Sequence, residues 1–297
     1  MLRALHERHS IPLKVAYLGE GSQIWNAVAS DPDYDLGQRE LATLRAFLPE
    51  AGRELRDGPW NIVHLGSGNG IEAPFVVEAL GPSAISRYVI VDISASLLSL
   101  ARAHLKKGHP HLRVSPRVED LDVANLARLA ADVKRGGAPR TLFLLVANGA
   151  LAAESRLLER LPPVLGRDDR LLFTVELFEE GREEEILRSY RLPSMARLFR
   201  RQLRQVAIAA VPDDALHFYI DRERHLVRID LLRRAPLHYL WPLGSVEPTP
   251  SPIHLFRSFR PTRQHFPELF LRTGLRIVTA VLPSATRCGA ALCAPRA

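Results

Sequence analysis

The chain is organised around residues 61–70, Asn61-Ile62-Val63-His64-Leu65-Gly66-Ser67-Gly68-Asn69-Gly70, and around Val89-Ile90-Val91-Asp92 further on. The first apolar run ends in three closely spaced glycines, and the second ends in an acid. Glycines let the backbone approach a ligand closely, and an acid at the C-terminal end of a strand can accept hydrogen bonds from both hydroxyls of a ribose. The pattern predicts a nucleotide-binding βαβ unit that holds an adenosine-type cofactor at Gly66, Ser67, Gly68 and Asp92.

The spacing of the glycines distinguishes between cofactors. A dinucleotide site has Gly-x-Gly-x-x-Gly, with the pyrophosphate at a helix N-terminus. Here the pattern is Gly-x-Gly-x-Gly, so Gly70 comes one residue early and Glu72 stands where a pyrophosphate would lie. The run resembles the first motif of class I S-adenosylmethionine (SAM) methyltransferases, whose ligand carries a sulfonium and no phosphate. A tight strand-to-helix turn that binds nothing is the alternative, and the position of Asp92 argues against it.

The composition is that of a soluble globular protein. The 297 residues are enough for one large domain, or for a domain with a sizeable insertion. No apolar run approaches the roughly 18 residues of a membrane span, and the N-terminal residues lack a signal-peptide core. We therefore expect a cytoplasmic protein without membrane contact. Cys288 and Cys293 have no clustered His or Cys partners, so we expect two buried thiols in a strand pair and no metal site.

The formal net charge of +7 raises the question of a nucleic-acid partner. Among the 40 basic residues, four are lysines: Lys14, Lys106, Lys107 and Lys134. The arginines are scattered along the chain and are not gathered in one patch, which indicates a compositional bias and not a phosphate-binding surface. A small molecule is therefore the preferred partner.

Between residues 61 and 150, apolar runs alternate with helical stretches. We expect strands at about 61–65, 87–91, 112–116 and 141–147, and helices at about 71–80, 95–106 and 123–134. Alternation at this spacing predicts an α/β fold with a mostly parallel sheet, helices on both faces, and ligands at the C-terminal strand ends. At those ends, Asp120 is either an acceptor for an adenine amino group or a helix-capping acid, and Asn148 either faces the site or caps the next helix.

The remaining residues predict two further parts. Residues 1–60 form a helical segment that we expect to cover the cofactor site as a lid. Antiparallel strands at about 216–220, 226–232 and 253–259 predict a smaller α+β substrate-binding lobe over residues 181–259. A helix at 267–273 and a hairpin of 275–282 with 289–294 return to the core, so the cofactor domain comprises residues 61–180 and 260–297.

Several short motifs stand in a fixed order along nearly the whole chain: Tyr17-x-x-x-Gly21-Ser22, Pro32-Asp33-Tyr34, Leu65-Gly66-Ser67-Gly68, Tyr88 to Ser94, Asn148, Glu176-Leu177 to Tyr190, Val227-Arg228-Ile229-Asp230 and Arg257-Ser258-Phe259. Their order and spacing resemble the histidine Nα-methyltransferase family of ergothioneine biosynthesis, which is also similar to the dimethylallyltryptophan N-methyltransferases. The resemblance implies a class I methyltransferase fold, with a Rossmann-like, mostly parallel sheet and a C-terminal antiparallel hairpin. It also implies SAM as the cofactor, held by Gly66, Ser67, Gly68, Asp92, Ile93 and Asp120.

The same resemblance implies roles for polar residues outside the glycine motif. In the family, the α-amino and carboxylate groups of the substrate are held by positions that match Tyr17, Tyr34, Asn148, Tyr190 and Ser258. Tyr17 and Asn148 are then the catalytic residues that orient the amino group, and Tyr190 and Ser258 hold the carboxylate. A tyrosine taken singly is more often a half-buried packing residue with a satisfied hydroxyl. The joint presence of these residues favours the binding interpretation.

Two positions depart from the family's pattern. The histidine enzymes bind imidazole through a glutamate two residues before the serine that matches Ser258, and through a methionine on the strand that matches 227–232. Here those positions hold Phe256 and Leu231, and a benzyl ring cannot accept a hydrogen bond from an imidazole N–H. In addition, His64 replaces the acid that is common at the start of the glycine motif.

The prediction is therefore a SAM-dependent N-methyltransferase of secondary metabolism, acting as a monomer or homodimer. Its substrate is expected to be a small apolar or aromatic amino acid, or a related amine, and not histidine. A SAM-binding protein without catalysis, and a methyltransferase acting on RNA or peptide, are the alternatives.

Overall fold

The computed structural model of the chain describes residues 9–146, 149–154, 156–206, 213–232 and 252–296. The chain forms two compact units. The large-sheet unit comprises Leu36–Glu179 and Arg260–Ala297, and the small-sheet unit comprises Met1–Asp35 and Glu180–Phe259. None of the described helices has the length and apolar character needed to cross a membrane.

Seven strands build the large-sheet unit: β1 (Trp60–Leu65), β2 (Ile85–Asp92), β3 (Val114–Val118), β4 (Arg140–Leu145), β5 (Arg170–Glu176), β9 (Leu275–Val281) and β10 (Cys288–Pro295). Their order across the sheet is β3-β2-β1-β4-β5-β10-β9. Strands β1 to β5 pair in parallel, whereas β10 runs antiparallel to both β5 and β9. The predicted mostly parallel sheet with a C-terminal antiparallel hairpin is confirmed.

Helices cover both faces of this sheet: α2 (Asp35–Glu54), α3 (Ala73–Leu80), α4 (Ala95–Gly108), α5 (Leu126–Arg135), α6 (Gly149–Glu154), α7 (Leu157–Arg160) and α10 (His265–Arg272). Successive side chains of β1 point to opposite faces, as the period of a strand requires. Val63 lies in one hydrophobic core, which α5 and α10 complete. Ile62 lies in the other, which α2, α3 and α4 complete. The parallel strands are therefore buried on both sides, which explains their continuous apolar sequences.

The N-terminal part of the chain divides differently from the predicted segment 1–60. Most of α2 belongs to the large-sheet unit. The physical reason is that Leu44 and Phe47 on α2 are buried in the same core as Trp60 and Ile62 of β1. A helix that carries part of the sheet's core is a structural element of that unit.

The small-sheet unit contains a 3₁₀ helix at Leu13–Tyr17, the helices α1 (Gly21–Ala29), α8 (Glu183–Arg188) and α9 (Pro193–Gln205), and the strands β6 (Leu216–Asp221), β7 (Leu226–Leu231) and β8 (Ile253–Phe259). The strands form an antiparallel sheet in the order β6-β7-β8. Gln202 of α9 is fully buried, and its amide nitrogen donates to the carbonyl of Ile11 at 2.8 Å and to that of Leu255 at 2.9 Å. One helix thus joins the N-terminal segment to strand β8.

Candidate functional site

The glycine loop after β1 has a backbone that only glycine adopts without strain. Gly66, Gly68 and Gly70 have φ values of +64°, +52° and +69°. A Cβ atom on Gly70 would lie 2.7 Å from the Cβ and 2.9 Å from the Cα of Ala101 on α4. The third glycine therefore lets the loop pack directly against that helix, and its early position in the motif is a packing requirement.

Asp92 connects the end of β2 to this loop. Its Oδ2 accepts a hydrogen bond from the Gly68 N–H at 3.0 Å, and its Oδ1 accepts one from the Ser94 N–H at 2.9 Å. The side chain is buried, and burial raises the pKa of the Asp92 carboxyl against the opposing effect of the N–H groups of Ser94, Gly68 and Ile93. A carboxylate oxygen can accept more than one hydrogen bond. Asp92 thus holds the loop and retains capacity to bind ribose hydroxyls.

Ser67 is a second sign that the loop is built for a ligand. Its hydroxyl is buried and has no hydrogen-bond partner within the part of the chain that the structure describes. Buried polar atoms are normally satisfied, so an orphaned hydroxyl beside Asp92 fits a site whose missing partner is a bound molecule. The residues present therefore fit the adenosine cofactor that the sequence predicts.

The structure also describes the surroundings of Asp120 and His64 in the large-sheet unit. Asp120, after β3, is half-buried, and its Oδ1 accepts from the Asp122 N–H at 3.1 Å, whereas the cap of α5 is supplied by Asn125. The adenine contact of Asp120 stays a prediction. His64 is buried in the sheet with Nδ1 at 3.2 Å from the Tyr88 hydroxyl, and burial lowers its pKa to about 4. It is thus a neutral core residue.

The predicted substrate-binding residues that the structure describes all belong to the small-sheet unit, where a first aromatic group contains Tyr17, Trp25 and Tyr34. The ring centroids of Tyr17 and Trp25 are 5.6 Å apart, and those of Trp25 and Tyr34 are 6.1 Å apart, both edge to face. All three side chains are half-buried. The indole of Trp25 therefore packs between the two predicted tyrosines, a contact that the sequence did not predict.

A second aromatic group contains Tyr190, Phe199, Phe218 and Phe256. Phe256 lies 5.3 Å from Tyr190 and 5.7 Å from Phe199, between ring centroids, and Phe199 lies 6.4 Å from Phe218. On the sheet, Phe256 stands opposite Ile229 and Ser258 opposite Val227, so these four side chains share the buried face. Leu231, at the end of β7, is also buried. This face is lined mainly by aromatic and aliphatic side chains.

Hydrogen bonds join the segments that carry the two groups. The Ser189 hydroxyl, next to Tyr190, donates to the Asp35 carboxylate, next to Tyr34. The Ser194 hydroxyl donates to the carboxylate of Asp31 at 2.9 Å. The chain segments that carry Tyr34 and Tyr190 are therefore joined by hydrogen bonds of neighbouring residues. Asn148 lies outside the described residues, so its predicted role stays a prediction.

Sequence reasoning missed Trp25, Phe199 and Phe218. Phe199 had a detectable signal, because Met195, Leu198 and Phe199 follow the helical spacing of the buried face of α9. Trp25 had none, since its importance lies in contacts with residues before and after it in the chain. Among the described residues, no group of three or more His, Cys, Asp or Glu side chains could hold a metal ion.

A mostly parallel sheet of this strand order, with an antiparallel strand β10, a glycine loop after β1 and an acid at the end of β2, fits a class I SAM-dependent methyltransferase. Residues 1–214 match the model of the family described as histidine-specific, SAM-dependent methyltransferases. The match covers well over half of the chain, and the chain belongs to this family. SAM is therefore its cofactor, as predicted.

Solved structures of other methyltransferases resemble the chain at low sequence identity. A SAM-dependent methyltransferase from Clostridium acetobutylicum has 14% identity and a TM-score of 0.47, with 93% of this chain and 97% of that chain covered. The CcbJ methyltransferase from Streptomyces caelestis has 11% identity and a TM-score of 0.49, with 97% and 100% covered. Among curated protein sequences, none matches the chain. The assignment rests on the family match together with the strand order.

Proposed function

We propose that the enzyme transfers the methyl group of SAM to the amino group of a small amino acid, or of a related amine, whose side chain is apolar or aromatic. The observation that carries this proposal is the position of Phe256 in the second aromatic group. Its ring centroid lies 5.3 Å from that of Tyr190 and 5.7 Å from that of Phe199. The family resemblance implies that this position contacts the substrate, and a benzyl ring would offer an apolar contact there.

In this proposal, residues of the large-sheet unit bind the cofactor. SAM, when bound, supplies a methyl group on a sulfonium that an amine lone pair can attack. The glycine loop and Asp92 hold the adenosine part, and the buried hydroxyl of Ser67 is available for a hydrogen bond to the ligand. A site of this kind accelerates the reaction mainly by positioning the nucleophile and by excluding water.

Binding of the substrate is assigned to the residues that match the family's substrate-binding positions. Tyr17 and Asn148 orient the amino group, while Tyr190 and Ser258 hold the carboxylate, and Tyr34 completes the set. The amine must be neutral to react, although near pH 7 a free amine is mostly protonated. Once the amine is neutral, the Tyr17 hydroxyl can accept a hydrogen bond from one of its N–H groups and so orient the lone pair towards the methyl group.

Specificity is assigned to Phe256 and Leu231. An imidazole needs a partner for its N–H, and leaving a buried polar group unpaired costs about 1–3 kcal/mol. An aromatic or aliphatic side chain meets no such penalty and gains about 25 cal/mol for each Å² of apolar area buried. Both effects favour an apolar substrate over histidine.

The test is a change of specificity by Phe256→Glu, with Phe256→Leu as the matched control. A carboxylate at this position removes apolar contact and offers an acceptor to imidazole. We expect kcat/KM for an aromatic amino acid to fall about 10- to 100-fold, as loss of about 2 kcal/mol of apolar burial implies. The ratio of the histidine rate to the aromatic rate should rise by at least the same factor.

The leucine variant keeps an apolar side chain and should stay within about tenfold of the wild type. Thermal unfolding of both variants separates lost folding from changed specificity. If Phe256→Glu treated the two substrate classes as the wild type does while remaining folded, position 256 would not determine specificity.

A further inference from the structure

Glu176, the last residue of β5, is a buried acid whose charge is fully compensated. Its Oε1 lies 2.7 Å from Nη2 of Arg39, and its Oε2 lies 2.8 Å from Nε of Arg260. The side chain of Glu176 is fully buried, and that of Arg260 is almost so. Because each carboxylate oxygen already pairs with an arginine, Glu176 has little need of a further cation.

Glu40 differs from Glu176 in this respect. It follows Arg39 on α2 and is 4% exposed, yet its carboxyl forms no hydrogen bond or ion pair with any other described residue. The groups whose charges act on it are Arg260, Glu176, Glu72 and Arg39. Burial is the largest influence and raises the pKa of Glu40 to about 8. An unpaired carboxylate in such a place is costly, so the acid form predominates at pH 7.

The position of Glu40 in the large-sheet unit relates it to the cofactor. Arg39, the residue before Glu40, pairs with Glu176 at the carboxyl end of β5, so this turn of α2 lies at that end of the strand. The charges of Glu176 and of Glu72, which follows the glycine loop at the start of α3, both act on Glu40. Strands β1 and β5 are parallel and flank β4, so the loop and Glu176 lie on the same edge of the sheet. This is the edge where Asp92 and the orphaned hydroxyl of Ser67 also lie.

We propose that Glu40 is a further cofactor-binding residue, which accepts a hydrogen bond from the α-ammonium group of SAM. The methionine end of SAM carries a sulfonium, a carboxylate and an ammonium, and only the ammonium has N–H donors. A buried acid without a partner is matched by a cation that arrives with the ligand, since a paired charge is far less costly than an isolated one. The inference rests on the SAM dependence of the family and not on the proposed substrate.

This pairing couples cofactor binding to the loss of a proton. Glu40 is mostly protonated in the free protein at pH 7, and it becomes a carboxylate when the ammonium binds. The proton goes to the solvent, so the affinity for SAM rises as the pH rises from 6 towards 7.5. The charge of Glu72 also acts on Glu40, and burial raises the pKa of Glu72 to about 7. The nearby Cys288 thiol stays protonated, because burial raises its pKa well above the ordinary value.

The test is isothermal titration calorimetry of the full chain with three ligands. SAM and S-adenosylhomocysteine both carry the ammonium, whereas 5′-methylthioadenosine lacks the whole amino acid end. Glu40→Gln should weaken SAM and S-adenosylhomocysteine equally, about 10- to 100-fold, because a hydrogen bond to a charged group is lost from both. Binding of 5′-methylthioadenosine should stay unchanged, which also shows that the variant is folded.

The matched control is Glu54→Gln, which removes an exposed carboxylate from the same helix and should change none of the three affinities. Titrations at pH 7 in buffers of different ionisation enthalpy should show fewer protons released by Glu40→Gln than by the wild type. Unchanged SAM affinity in Glu40→Gln would overturn the proposal. A loss confined to SAM would also overturn it, because the carboxylate would then act on the sulfonium.

Discussion

Replacing Asp92 by Asn tests how the large-sheet unit holds the cofactor. The two carboxylate oxygens accept the N–H groups of Gly68 and Ser94 at 3.0 and 2.9 Å. An amide has one acceptor oxygen, so its NH₂ group must face one of these two donors. One loop hydrogen bond is then lost, and so is one of the two acceptors that we assign to the ribose hydroxyls.

The magnitude follows from the bonds that disappear. A hydrogen bond to a charged group contributes about 1.5–3 kcal/mol, so the lost ribose contact should weaken S-adenosylhomocysteine about 10- to 100-fold. The buried N–H left facing an amide should lower the free energy of unfolding by about 1–3 kcal/mol. Calorimetric titration measures the first effect, and urea unfolding measures the second.

The matched control is Asp57→Asn, an exposed acid before β1, which should alter neither quantity. If Asp92→Asn bound S-adenosylhomocysteine with wild-type affinity, the assignment of Asp92 to the ribose would be refuted. If affinity fell without any change in unfolding, Asp92 would bind the ligand but would not hold the loop.

Two further predictions concern the packing of the same unit. Gly70→Ala should lower the free energy of unfolding by about 2–4 kcal/mol, because the new Cβ would lie 2.7 Å from that of Ala101 and the residue has a positive φ. The control Gly108→Ala should change this free energy little, since its Cβ would meet no atom within 4 Å. Equal effects of the two variants in urea unfolding would contradict the packing argument. His64 should make the wild type less stable as the pH falls from 6.5 towards 4, since the unfolded chain takes up a proton that the buried ring, with a pKa of about 4, does not. The loss should approach about 3 kcal/mol and be absent from His64→Gln, and parallel pH profiles of the two proteins would contradict it.

Regular elements with strong local signals could be predicted from the sequence. Strand β1 at Trp60–Leu65 and strand β8 at Ile253–Phe259 lie within one residue of the predicted bounds, because their apolar residues mark them. Strand β3 begins two residues later than expected. Leu112 closes a turn through its N–H bond to His109, and the strand continues through exposed residues that carry no apolar pattern.

The site could be predicted only in part, for physical reasons. The contact between Gly68 and Asp92 could be expected, because these residues have fixed positions along one βαβ unit, whereas their binding of the cofactor stays a prediction. Trp25 and Glu40 were missed, since their environments depend on contacts that the local sequence does not show. In the sequence, Glu40 is one polar residue among the three in Gln38-Arg39-Glu40. Its burial is visible only in the folded structure.

The claim that this family member methylates an apolar or aromatic amine is tested most directly by mass spectrometry of the reaction products. Purified protein is incubated with SAM and a panel of amino acids and their decarboxylated amines, histidine included. We expect a mass gain of one or more methyl groups on an aromatic or apolar member, with histidine unchanged. Methylation of histidine alone would contradict the argument built on Phe256.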